Sequence, residues 1–194
     1  MLKDYDNVRR DMERLLGQGT DQNALRETII QAYLFDGYPV MFEGLFLLRE
    51  ILGKENAPPP PEALDRDTLD SWVACGEKLC RRIYGNNFDR MQENMRTLSP
   101  DVANWMVVEG YGKVLSREGL DVRTRELINV AVLAAKDYPR QLHSHLLGAL
   151  NVGVLPEEVN RLLELLEPLA PENIQSSRRL WKSIIERQKD NNRT

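Results

Sequence analysis

Gly119-Leu120-Asp121-Val122-Arg123-Thr124-Arg125-Glu126-Leu127-Ile128 leads, by way of Asp137-Tyr138-Pro139, to Leu142-His143-Ser144-His145-Leu146-Leu147-Gly148-Ala149-Leu150-Asn151-Val152-Gly153. Together these residues read as one helical hairpin. Asp121 is a good N-cap, because a short acidic side chain accepts from the free N–H groups of a first helical turn. The helix it opens is expected over 122–136. Asp137-Tyr138 makes a tight turn, and Pro139, with its fixed φ and no N–H to lose, starts the return helix. That helix is expected to reach about Leu150 and to stop at Asn151-Val152-Gly153. A turn this short makes the two helices antiparallel neighbours.

Outward from the hairpin the pattern stays helical. Downstream, Val159, Leu162, Leu163, Leu165 and Leu166 mark a helix from about Pro156 to Leu166. Pro168 and Pro171 break it, and a last helix carries Ile174, Leu180, Trp181, Ile184 and Ile185 before a polar tail over 189–194. Upstream, Pro100 opens a helix to about Lys113, another runs near Phe88 to Met95, and Asp67 is the expected cap of a helix through Trp72 and Leu79 to about Ile83. Leu25, Ile29, Ala32 and Tyr33 form an earlier stripe. Gly37-Tyr38-Pro39 interrupts it, and Phe42, Leu45, Phe46, Arg49 and Leu52 resume it up to Gly53 as C-cap. Spacing of i, i+3, i+4 dominates and strand alternation is nearly absent, so the fold class is all-α. Asn56-Ala57-Pro58-Pro59-Pro60-Pro61 is a stiff spacer. The expected organisation is an N-terminal helical repeat over 1–55, a Pro-rich linker over 56–65, a helical region over 66–190 and a polar tail over 191–194, all in one compact unit.

The bulk properties exclude several function classes. Hydrophobic residues make up 42% of the 194, enough for a core that needs no disulfides. Charged residues make up 29% with a net charge of −4, which argues against a nucleic-acid surface, since that needs a basic footprint. No stretch approaches 18 uninterrupted apolar residues, so no membrane span is expected. The charged start Met1-Leu2-Lys3-Asp4 has no apolar leader behind it, and a cytoplasmic location is expected. Cys75 and Cys80 are five apart, about 140° around a helix, and form neither a CxxC pair nor half a zinc site. They read as small buried or half-buried thiols. His143 and His145 lack a third ligand at metal spacing, so no metal and no cofactor is expected.

A shift of 134 positions aligns the N-terminus with the hairpin and the residues after it. Leu16-Gly17-Gln18-Gly19 falls on Leu150-Asn151-Val152-Gly153, Leu25 on Val159, Ile29 on Leu163, Phe35 on Leu169 and Ile51 on Ile185. Breakers and apolar residues align together, the mark of a duplication. The repeats are unequal. No counterpart of the 122–136 helix precedes the first copy, and Arg9 and Asp11 stand where the second has His143 and His145.

The hairpin resembles the carboxymuconolactone decarboxylase-like superfamily, which includes the alkyl hydroperoxidase D proteins. The family pattern runs roughly G-L-D-x-R-T-R-x-L, a helix, then H-x-x-x-A-L-x-x-G-V and an acidic pair, here Glu157-Glu158. Tyr111-Gly112-Lys113-Val114-Leu115-Ser116-Arg117 looks like its W-G-x-x-W-S-R segment, and Tyr33-Leu34-Phe35-Asp36-Gly37-Tyr38-Pro39 like its Y-x-x-G-x-P segment. The main match covers about 84–166, with a looser one over 28–52. The family normally places Y-x-x-G-x-P after the histidine, so the order here is permuted. Lys113 stands where the decarboxylase branch often has an acidic residue. The peroxidase branch has E-x11-C-x2-C-x3-H. Counted from Glu126, its cysteine positions fall on Tyr138 and Gln141 and its histidine on His145. Thiol–disulfide exchange needs an attacking thiolate and a partner, so an alkyl hydroperoxidase-like antioxidant is disfavoured.

The resemblance implies the family's helical array, a homo-oligomer, and a small-molecule substrate. At about 1.5 Å per residue, Glu126 and His145 sit at levels roughly 6 Å apart along the antiparallel pair, within reach of each other directly or through one water. His145 is the candidate general acid/base and Glu126 its orienting partner, in a cofactor-free lyase acting on a carboxylated or lactone-like metabolite. Arg123 and Arg125 are candidate holders of the substrate carboxylate, or else helix-surface charges. The alternative is a non-catalytic binding or assembly protein, in which Glu126 and His145 form a structural contact and the hairpin is packed shut. The Tyr33–Pro39 segment is expected beside His145.

Overall fold

The computed structural model describes residues 4–56, 58 and 64–191. Among these it is all-α: α1 (Tyr5–Gly17), α2 (Gln22–Leu52), α3 (Arg66–Tyr84), α4 (Phe88–Leu98), α5 (Pro100–Trp105), α6 (Val122–Ala135), α7 (Pro139–Asn151), α8 (Pro156–Leu166) and α9 (Pro171–Asn191). α5 runs straight on into a π-helical stretch, Met106–Leu115. Most of the expected Pro-rich linker, residues 57 and 59–63, lies outside the described residues, as does 192–194 of the expected tail. No described helix is long and apolar enough to cross a membrane.

Local chemistry sets the boundaries. The Asp121 carboxylate accepts from the backbone N–H groups of Arg123 and Thr124 at 2.9 and 3.1 Å and starts α6. Pro139 and Pro156 open α7 and α8, where a missing N–H costs nothing. Glu158 accepts from the Leu155 N–H at 2.7 Å and caps α8. Two expectations shift. Asp65, not Asp67, caps α3, accepting from the Thr68 N–H at 2.9 Å, and α9 continues as helix through Lys189 to Asn191. The interruption at Gly37-Tyr38-Pro39 is a kink within α2. Gly37 has φ 75° and ψ 178°, a conformation open to glycine, and both halves remain helical.

The main core is built on α6 and α7. Leu142, Leu146 and Ala149 line the inner face of α7 and meet Val130, Leu133 and Ala134 of α6, Val159 and Leu163 of α8, and Ile174, Trp181 and Ile184 of α9. Each fully buried aliphatic side chain contributes roughly 1.5–3 kcal/mol. α3 crosses the π-helical stretch backbone to backbone: a Cβ on Gly76 would stand 2.2 Å from the Val107 carbonyl oxygen, and one on Gly112 2.0 Å from that of Trp72. That contact sets Tyr84 against Tyr111, rings 5.8 Å apart and edge to face. α1 and α2 enclose a smaller cluster around Met12, Leu47 and Leu48.

The repeat register coincides with element boundaries. α1 matches α7 from end to end, α2 begins where α8 begins, and the Gly37 kink falls on the first residue of α9, each 134 positions apart. Gly19 and Gly153, paired by the same shift, have φ values of 86° and 91°.

Candidate functional site

Glu126 and His145 meet across the α6–α7 hairpin, with Nδ1 of His145 2.9 Å from Oε2 of Glu126. The glutamate is 0% exposed and the histidine side chain 13%. Such proximity needs a residue without a side chain beside the carboxylate. A Cβ on Gly148 would stand 2.9 Å from Oε2 of Glu126 and 2.6 Å from Ile83.

Behind the pair lies a directional chain of hydrogen bonds. A guanidinium only donates. Arg125 is 1% exposed, and its Nη1 donates to Oε1 of Gln31 at 3.1 Å. That fixes the Gln31 amide, whose Nε2 donates to Oδ1 of Asn129 at 2.8 Å and to the Arg125 carbonyl at 2.9 Å. The Asn129 amide is fixed in turn, and its Nδ2 donates to Oε1 of Glu126 at 3.0 Å. Oε1 of Glu126 is therefore an acceptor; with the carboxylate ionised Oε2 accepts as well, and the proton shared with His145 then sits on Nδ1. In the neutral imidazole, Nε2 carries the free lone pair.

Arg125 is itself anchored. Its Nη2 donates to Glu27 at 3.0 Å and to the Arg117 carbonyl at 2.8 Å, while its buried Nε lacks a partner among the described residues. Burial lowers the Arg125 pKa, and the Glu27 carboxylate works against that. Glu27, also buried, accepts from Arg117 in a fork at 2.9–3.0 Å, and this bonding raises the Arg117 pKa.

In front of the pair is a cleft of about 790 Å³, lined by α2, α3, α4, α5, the π-helical stretch, α6 and α7. His145, Asn129, Arg140, Gln141 and Ser144 supply polar groups from α6 and α7; Met91, Met95, Leu98, Val102, Trp105 and Met106 supply an apolar wall. Tyr33, Leu34 and Phe35 of α2 also line it, so this part of the Tyr33–Pro39 segment shares the cleft with His145. Lys136 pairs with Asp36 alongside. Tyr33 donates to Glu109 at 2.8 Å. Burial pushes up the pKa of Tyr33, Tyr84 and Tyr111, so all three stay phenols, and Tyr84 and Tyr111 share a hydrogen bond.

The structure does not bring the other two candidate residues to the cleft. Arg123 is exposed and pairs with Glu158 at 2.6 Å, tying α6 to α8. Arg125 is consumed by the buried chain. The guanidinium that lines the cleft is Arg140, which makes no ion pair among the described residues. It follows Pro139 at the start of a helix, and that position was the signal available for it. Gln31 and Asn129 also went unread. Asn129 lies one turn past Glu126 on the same face, whereas Gln31 carries no sequence signal. Among the cysteines, Cys80 is buried but Cys75 is exposed, contrary to expectation, and neither lines the cleft. Burial raises the Cys80 pKa and keeps it a thiol. Gln141, at a peroxidase cysteine position, does line the cleft. No group of three or more His, Cys, Asp or Glu among the described residues is placed to hold a metal.

Comparison with known proteins fits this geometry. Over 140 residues the chain is 33% identical to Peroxisomal protein 2 of Schizosaccharomyces pombe, covering 70% of this chain and 63% of that protein. Over 75 residues it is 35% identical to 4-carboxymuconolactone decarboxylase of Acinetobacter baylyi, covering 39% of this chain and 56% of that one. The chain thus spans less than two thirds of the length of either relative. Residues 100–181, which hold the hairpin and its partners α8 and part of α9, match the carboxymuconolactone decarboxylase family. Over residues 100–181 the chain thus carries the pattern of the carboxymuconolactone decarboxylase family, in line with its likeness to the Acinetobacter baylyi decarboxylase.

Proposed function

We propose that the protein is a cofactor-free carbon–carbon lyase of the decarboxylase type, acting on a carboxylated metabolite in the His145 cleft. One observation carries this reading: a buried carboxylate, 2.9 Å from Nδ1, orients an imidazole that lines an open cavity. In the reaction the bond to the leaving carboxylate breaks, CO₂ departs, and its electron pair moves into an adjacent carbonyl or lactone unsaturation. Nε2 of the His145 imidazolium returns a proton to the vacated carbon, and solvent restores that proton. Glu126 holds the ring and balances its charge. Arg140 takes the role of carboxylate holder in place of Arg123 and Arg125. An open cleft supports this reading over a fold kept only for binding or assembly, which would leave the hairpin packed shut.

The proposed setting is the cytoplasm, where two free cysteines stay reduced. Assembly into a homo-oligomer is part of the proposal. Tyr38, Phe42 and Phe46 leave a half-exposed apolar stripe on α2, and sedimentation would read its burial. The catalytic reading is tested with H145Q and E126Q, assayed for CO₂ release from carboxylated lactones. Each should lose about 10²–10⁴-fold in turnover while keeping the helical circular dichroism of the wild type. Unchanged turnover in both would sink the assignment.

A further inference from the structure

The cleft is much larger than a small lactone acid. At about 790 Å³ it lies in the upper part of the range, about 300–1,000 Å³, that encloses drug-sized ligands. Its chemistry is also divided. Polar groups come from α6 and α7, around His145 and Arg140, while α4, α5 and the π-helical stretch present Met91, Met95, Leu98, Trp105 and Met106. Methionine side chains adapt to apolar ligands of varied shape. Leu98 and Trp105 are 78% and 62% exposed, and large apolar groups gathered at a cleft rim mark a surface meant to be covered. Charge restricts the ligand further. Arg140 offers one guanidinium, whereas Glu109, already held by Tyr33 and near Lys113 at 3.9 Å, places a carboxylate on the opposite wall. A second negative charge on the ligand would meet methionines or Glu109.

We propose that this cleft takes a monocarboxylic acid with an extended apolar body, its carboxylate at Arg140 beside His145 and its body along the methionine wall. This deepens the lyase reading and rests on it for the placement of the reacting end.

The test is calorimetric titration of the full chain with octanoate, decanoate and laurate, each below its micelle concentration, with tryptophan emission followed in parallel. Affinity should climb by up to about fourfold per methylene. R140Q should weaken laurate by about tenfold or more, the share of a charge-assisted hydrogen bond, and leave 1-decanol binding unchanged. A flat series, no binding, or equal loss for acid and alcohol would overturn the proposal. So would an emission shift on concentrating the protein alone, because a second copy would then cover the wall. H145Q separates the two readings. If it binds laurate normally and keeps turnover, the catalytic assignment falls and the ligand class stands. If the wild type binds no acid of the series while H145Q still abolishes turnover of a polar lactone, the ligand class falls and the catalytic assignment stands.

Discussion

Glu27 and Gln31 on α2 occupy the same helical positions as Arg161 and Leu165 on α8, 134 residues on. The first pair is buried, at 2% and 0% exposure; Arg161 and Leu165 face solvent. The shared layout gives both arms the same turns and the same apolar stripe, Leu25 and Ile29 matching Val159 and Leu163. What differs is the second face of each helix. α2 lays its second face on α6 and fills it with hydrogen-bonding groups. α8 meets α6 through the stripe itself and leaves the equivalent face to water. In the same way α7 carries His145 where α1 carries Asp11. One arm provides the imidazole that lines the cleft, and the other provides the Gln31 amide that fixes Asn129 behind it.

Breaking the buried side of this comparison should cost most. R125A strips Oε1 of Gln31 of its donor, leaves buried Glu27 to Arg117 alone, and should destabilise the protein by about 3–5 kcal/mol in urea unfolding. A loss under about 1 kcal/mol would mean that water replaces the guanidinium. Q31L installs the residue found at the equivalent position in the other arm. It leaves Asn129 Oδ1 without its donor and Arg125 Nη1 without its acceptor, for about 1–3 kcal/mol. It should also alter the pH profile of turnover, which a merely structural residue would leave alone. D121A removes the α6 cap and should cost about 1 kcal/mol. Bonds from the Thr124 hydroxyl, and from the Thr124 and Arg123 backbone N–H groups, lower the Asp121 pKa. Its contribution is therefore complete above the ordinary carboxylate pKa, near pH 4, and is lost as pH falls through the lowered value. The gap between D121A and wild-type midpoints should hold at neutral pH and close only in acid. The reciprocal swap L165Q, on the solvent face, should leave the midpoint where it is.

How much of the molecule was legible depends on the kind of signal involved. Asp121, Pro139, Pro156 and Gly153 act within their own turn, so the α6–α8 boundaries stand in the sequence. Glu126 and His145 lie on consecutive helices joined by a short turn, and rise per residue alone brought them within reach. Arg125 looked like a surface or substrate-facing charge because its acceptors come from Glu27 and Gln31, nearly a hundred residues away. The cleft wall was invisible for the same reason. Met91, Met95 and Trp105 converge only when α4 and α5 fold over the hairpin. The π-helical stretch depends on the Gly76 and Gly112 crossing, a contact between backbones that no local spacing records.

The chain of amides running from Arg125 to Glu126 has a further consequence. A guanidinium holds its protons throughout the pH range in which proteins remain folded, so the polarity it imposes cannot be reversed from the cleft side. With Oε1 held by the Asn129 amide, an ionised Glu126 can only accept at Oε2, and that keeps the proton of the neutral ring on Nδ1. Nε2 is then the ring atom left for proton exchange, an arrangement set in part by Gln31 of α2, which does not itself line the cleft.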